Sequence, residues 1–161
     1  MRHRRLSGRL GWRLLTITPL VALLLWPAAL PAQGPYAAVQ RKALIATNIQ
    51  QSLAPAQLGL KLLQAGSSPE DLTRASEAIY SSYKHLRLAH ETSENLLAES
   101  KFPDPVTKLR NARIQKIRDS LRYCRDNDGA LINREPEFTA DCLQRLVEAV
   151  RLLEIVVMTD N

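Results

Sequence analysis

Histidine, glycine, cysteine and aromatic side chains are all scarce in this chain, and each shortage excludes something. Six glycines, scattered singly, leave no glycine-rich loop of the kind that cradles a phosphate. The two cysteines, Cys124 and Cys142, are too far apart for a C-x-x-C pair, so neither a dithiol redox motif nor a c-type haem attachment is encoded. Aromatic residues make up 5% of the chain, and both tryptophans, Trp12 and Trp26, fall within the first 32 residues. Beyond them stand only Tyr36, Tyr80, Tyr83, Phe102, Tyr123 and Phe138, too few rings for a base-stacking or sugar-binding platform.

Acidic residues are missing from one stretch altogether. Residues 1–32 carry Arg2, Arg4, Arg5, Arg9 and Arg13 and no Asp or Glu. Behind the arginines, Leu14 to Gly34 has no charged side chain, and its apolar part, Leu14 to Trp26, is 13 residues long. That length suits the hydrophobic region of a signal peptide and falls short of the ~20 residues that a spanning helix needs. Pro19 interrupts the run, and Pro27 and Pro31 oppose its continuation as a helix, because proline lacks an N–H and clashes with the preceding turn. Ala32, with Leu30 two residues earlier, is an imperfect version of the small-x-small cleavage rule. The pattern predicts a signal peptide over residues 1–32, cut after Ala32, and a single domain over 33–161; retention as an N-terminal anchor is the alternative. In both cases the arginines hold the N-terminus in the cytoplasm, and everything beyond residue 33 is expected outside it, in the periplasm or secreted.

Removing that segment changes the charge. The whole chain has a formal charge of +6, which invites a nucleic-acid partner. Without residues 1–32 it has 17 Lys and Arg against 16 Asp and Glu, a net +1, and that invitation lapses. The remaining charge is uneven. From Lys101 to Arg125 eight basic residues face Asp104 and Asp119, whereas from Asp126 to Asn161 eight acidic residues face three basic ones. A basic helix lying beside acidic ones explains this, and a weak attraction of the basic helix 105–125 for anionic lipid is its competitor.

Strand signals are absent as well: no sustained apolar/polar alternation occurs, and the good helix formers dominate. Four helical segments are expected. The first, from about Tyr36 to Gln64, carries Val39, Ala43, Ala46, Ile49 and Leu53 at helical spacing, with a kink or break near Pro55. The second is announced by Gly66, Ser68, Pro69, Glu70 and Asp71, a helix stop followed by a cap, a first-turn proline and two acids at the positive end of the dipole. It continues to Pro103. Asp104 and Pro105 repeat the device and open the third, which ends near Gly129. The last begins around Thr139, with Leu143, Leu146, Val147, Val150, Leu153 and Val157 on one face. Short connections make successive helices antiparallel, so the fold class is all-α, an up-down-up-down four-helix bundle. An antiparallel hairpin of the last two helices brings Cys124 to Cys142, and outside the cytoplasm such a pair is expected to be a disulfide.

Helix lengths add a constraint. At ~1.5 Å per residue the second helix is longer than the third by roughly 15 Å, so part of the first hairpin overhangs. The overhang holds Leu58, Leu60, Leu62 and Leu63, and lies near the connection that carries Leu131, Ile132 and Phe138. Either that connection folds over these leucines, or the seven residues form an apolar partner patch.

Candidate chemistry is thin. His85 and His90 lie on the second helix about 140° apart around its axis and cannot hold one metal from the same face. His90 with Glu94 supplies two ligands at most, and two ligands make no site. Ser82 and His85 lack an orienting third group. Met158, the only methionine after residue 32, sits at the far end of the chain from any axial partnership with His90. The expectation is a non-enzymatic, cofactor-free exported bundle with a binding or structural role in the cell envelope. Its partner would be another envelope or secreted protein, with no nucleic acid and no membrane contact except through an uncleaved signal segment or weakly through the basic helix. A ligand-, metal- or haem-binding bundle, acting as sensor or carrier, is the alternative.

Overall fold

The computed structural model describes residues 35–66 and 68–159, which belong to one unit, Gln33–Asn161. The expected signal segment, residues 1–32, lies outside the described residues. Within them the protein is all-helical: α1 (Pro35–Ala65), α2 (Pro69–Glu99), α3 (Pro105–Asp126), α4 (Asp128–Ile132) and α5 (Pro136–Thr159).

The local start signals act as their chemistry dictates. Ser68 is extended, its Oγ accepts the amide of Asp71 at 3.1 Å, and Pro69 opens α2. Asp104 accepts from the amides of Val106 and Thr107 at 3.2 and 3.1 Å, with Pro105 as the first residue of α3. Those amide bonds, with a smaller contribution from Lys42, hold the Asp104 carboxyl below its ordinary pKa. Gly66 ends α1 in the left-handed region at φ 57°, and its amide returns to the Leu62 carbonyl at 3.1 Å.

Pro55 does not split the first helix, which runs unbroken from Pro35 to Ala65. Having no N–H, the proline leaves the backbone around the preceding turn short of a donor. The carbonyl that loses its donor is that of Gln51, four residues back; the next one, Ser52, accepts the buried Ser82 hydroxyl of the neighbouring helix at 2.9 Å. Small residues let α1 and α2 approach closely enough for this. Ala56 and Ala75 are completely buried, and a Cβ at Gly59 would lie 3.0 Å from Ile79 Cγ1 and 3.4 Å from the Ala75 carbonyl oxygen.

The four long helices form a helical bundle in which α1 packs on α2 and α5, and α3 on α2 and α5. Among the described residues α1 does not pack on α3, nor α2 on α5. Arg41 near the start of α1 pairs with Glu99 at the end of α2 at 2.6 Å, while Gly59 meets Ala75 near its start, so these two helices run in opposite senses. The core draws on every helix: Ile45 and Ile49, Ile79 and Leu86, Ile114, Ile117 and Leu121, Leu131, and Leu146, Leu153 and Val156.

The connection after α3 departs from the expected loop. α3 stops at Asp126, the single-turn α4 follows and packs on α2, and α5 opens three residues before Thr139, at Pro136. Leu131 of α4 is completely buried. Arg134, not glycine, takes the left-handed position after α4, with φ 59°. Its amide bonds to the Leu131 carbonyl and that of Glu135 to the Ala130 carbonyl, the pair of bonds of a Schellman stop.

Candidate functional site

Cys124, near the end of α3, and Cys142, near the start of α5, lie at disulfide distance with their Cα atoms 5.4 Å apart. This fixes the corner where the two helices join through α4, and the side chains beside it are correspondingly well placed. The rings of Tyr123 and Phe138 stack at 5.4 Å, and the Arg145 guanidinium lies 4.1 Å from the Tyr123 ring on α5's side. Arg145 Nε donates to Asp141 at 3.1 Å. The Tyr123 hydroxyl, donating to Asp141, is the main cause of that carboxyl's lowered pKa, with Arg145 acting in the same direction; the same hydrogen bond raises the pKa of the phenol.

Next to this cluster is a surface hollow of about 750 Å³ lined by Tyr123, Glu135, Pro136, Glu137, Phe138 and Asp141. The wall attracts cationic groups chiefly through Glu135 and Glu137, since Asp141 is already paired with Arg145, whose guanidinium also lies on the Tyr123 ring. The hollow's lining has no histidine, serine or cysteine. Phe138, expected in an apolar patch, lines this hollow beside Tyr123, Glu135, Glu137 and Asp141, which helical spacing does not single out. The local signal is the run Glu135-Pro136-Glu137-Phe138, a first-turn proline followed by an acid as at Pro69.

The seven apolar residues expected at the hairpin end are divided by the fold. Leu63 and Leu131 belong to the core, and Leu60, Leu62 and Phe138 are half-buried against it. Ile132 is also half-buried, and of the seven only Leu58 is exposed.

The histidines are held by neighbours. His85 Nδ1 lies 3.2 Å from Asn48 Oδ1, and Asn48 Nδ2 donates in turn to the Leu44 carbonyl. Ser82 gives its hydroxyl to Ser52, so Ser82 and His85 do not act together. His90 is 1% exposed. Its Nδ1 lies 2.8 Å from Arg118 Nη1 and 3.5 Å from Glu94 Oε2. A guanidinium only donates, so Nδ1 accepts and the neutral ring carries its proton on Nε2. That Nε2 is buried without a hydrogen-bond partner. Burial first, and then the Arg118 charge, lower the His90 pKa from 6.5, while Glu94 opposes them. A cation at His90 and Glu94 would compete with the guanidinium already on Nδ1. Among the described residues no group of three or more His, Cys, Asp or Glu is placed to hold a metal. Met158 is exposed at the end of α5. No described helix is long and apolar enough to cross a membrane.

Comparison with known protein families, with characterised proteins and with solved structures found no match for this chain.

Proposed function

We propose that this is an exported, non-catalytic helical-bundle protein of the periplasm or the secreted space, with a binding or structural role in the cell envelope. In this reading residues 1–32 are its signal peptide and the long helices run up-down-up-down. The partner is another envelope or secreted protein that presents a basic segment to the hollow beside Cys124 and Cys142. The observation that carries the reading is the hollow itself, where Glu135, Glu137 and Asp141 surround the stacked Tyr123 and Phe138. Rigid rings with few rotamers and a fixed backbone corner lower the entropy lost on binding. The cysteine pair supports an oxidising compartment, where such pairs persist.

A photo-crosslinking residue placed at Glu137 in cells tests this, with one at Tyr80, exposed on α2 and outside the hollow's lining, as the control. A discrete crosslinked protein at Glu137 that is absent at Tyr80, and that disappears when Glu135 and Asp141 are replaced by Lys, is the expected result. Equal labelling at both positions, or labelling unchanged by the charge reversal, overturns it.

The ligand-, metal- or haem-binding alternative draws on one observation, the buried Nε2 of His90 that has no hydrogen-bond partner. Protein purified from its native compartment with a Soret band or stoichiometric metal would favour that reading, and a colourless, metal-free preparation would dispose of it.

A further inference from the structure

Large apolar side chains left in water on a small bundle are ordinary when scattered and informative when gathered. Here four of the most exposed lie at one end of the first three helices. Phe102, in the turn between α2 and α3, is 91% exposed, Tyr36 75%, Val106 72% and Val39 63%. One contact brings α1 to this end: Arg41 pairs at 2.6 Å with Glu99, three residues before Phe102. Tyr36 and Val39, three residues apart, are neighbours on the surface of α1. Lys101 and Lys108 are exposed beside Phe102 and Val106. Arg41, Lys42, Lys101 and Lys108 against Glu99 and Asp104 leave this end positive.

We infer that this end of the bundle is a docking surface for an anionic lipid bilayer, with Phe102, Val106, Tyr36 and Val39 entering the headgroup region and Lys42, Lys101 and Lys108 contacting lipid phosphates. Aromatic and aliphatic side chains interleaved with lysine are the composition of an interfacial membrane contact. A second copy of the chain fits less well. The four side chains offer roughly 500 Å², below the ~800 Å² per partner of a standard protein interface, and two such ends would bring like charges together. Chain continuity favours the same direction. Pro35 begins α1 at this end, and the sequence before it returns to the uncharged run that starts at Leu14. On the proposed export reading, on which this point rests, the segment that meets the membrane joins the bundle at this end. The inference is independent of any partner at the Glu135–Asp141 hollow, so either can fail alone.

Deuterium exchange on the full chain tests it, with vesicles of equal phosphatidylglycerol and phosphatidylcholine compared with phosphatidylcholine alone. Peptides covering 36–42 and 99–109 are expected to exchange more slowly on the anionic vesicles only. The lipid concentration giving half-protection should rise about fivefold for each of Lys101→Gln and Lys108→Gln. Phe102→Ser with Val106→Ser should remove the protection while leaving the helical circular dichroism unchanged, since both side chains are exposed. No protection at this end on anionic vesicles, equal protection on both lipids, or protection that appears without vesicles as protein concentration rises would each overturn the inference; the last would assign the surface to a second copy.

Discussion

Arg118 of α3 places its guanidinium 2.8 Å from Nδ1 of His90, a ring that α2 has already carried into the core. A positive group therefore sits against a buried base, and both burial and charge disfavour protonating it. The unfolded chain, where His90 titrates near 6.5, binds that proton more readily than the folded one. Stability from this site is thus complete above about pH 6.5 and falls as the pH drops below it toward the lowered folded value. Urea midpoints of wild type and His90→Gln at pH 8 and pH 5 check this, because glutamine retains an acceptor for Arg118 and does not titrate. The wild type should lose more stability than the variant between the two pH values. Asp126, Asp141 and Glu148, whose carboxyls are held low by Arg125, Tyr123 and Lys116 respectively, lose their contribution only further down, below about pH 4.

Gly59 is a second sensitive point. An added methyl would press on Ile79 Cγ1, and Ile79 is completely buried. Overpacking of about 1–3 kcal/mol should outweigh the ~1 kcal/mol that alanine gains over glycine inside a helix. Gly59→Ala is expected to cost about 1 kcal/mol net in wild type and to become stabilising in an Ile79→Ala background. A double-mutant cycle by urea denaturation reads the change of sign; the same cost in both backgrounds would mean that Ile79 is not the obstacle.

Reduction of the Cys124–Cys142 pair should lower stability by about 3 kcal/mol, the chain-entropy value for a closed loop of this size, with the helices retained. Denaturation curves of oxidised protein and of the Cys124→Ala, Cys142→Ala double variant supply the comparison. The hollow should loosen at the same time, because Tyr123 and Phe138 flank the bridge.

Arg134 occupies a backbone position that glycine adopts without strain. Arg134→Gly should stabilise by about 1 kcal/mol, the order of the left-handed penalty for a residue with a Cβ. A rise in thermal midpoint measures it, and an unchanged or lower midpoint would show that contacts of the arginine side chain outweigh the backbone strain.

The sequence by itself determined whatever depends on near neighbours along the chain. Ser68-Pro69 and Asp104-Pro105 start helices because a side-chain acceptor and a proline act within one turn, and Gly66 stops one for the same local reason. Apolar stripes along α2, α3 and α5 identified Ile79, Ile114 and Leu146 as interior, and the hairpin of α3 and α5 made the cysteine pair predictable. α4 escaped notice because its stop uses Arg134 where glycine would have been the readable signal. What only the tertiary structure decided depends on how helices far apart in sequence settle against one another. Leu58 and Leu63 are alike as letters, yet one is exposed and the other buried. His90 finds Arg118 across 28 residues, and the Ser82 hydroxyl reaches a carbonyl 30 residues back, near a proline that the sequence alone marked as a kink or break. Helical periodicity specifies which side of a helix seeks cover; the rotation and depth at which two such sides meet are set by packing volume, by Gly59 and Ala75 as much as by any leucine.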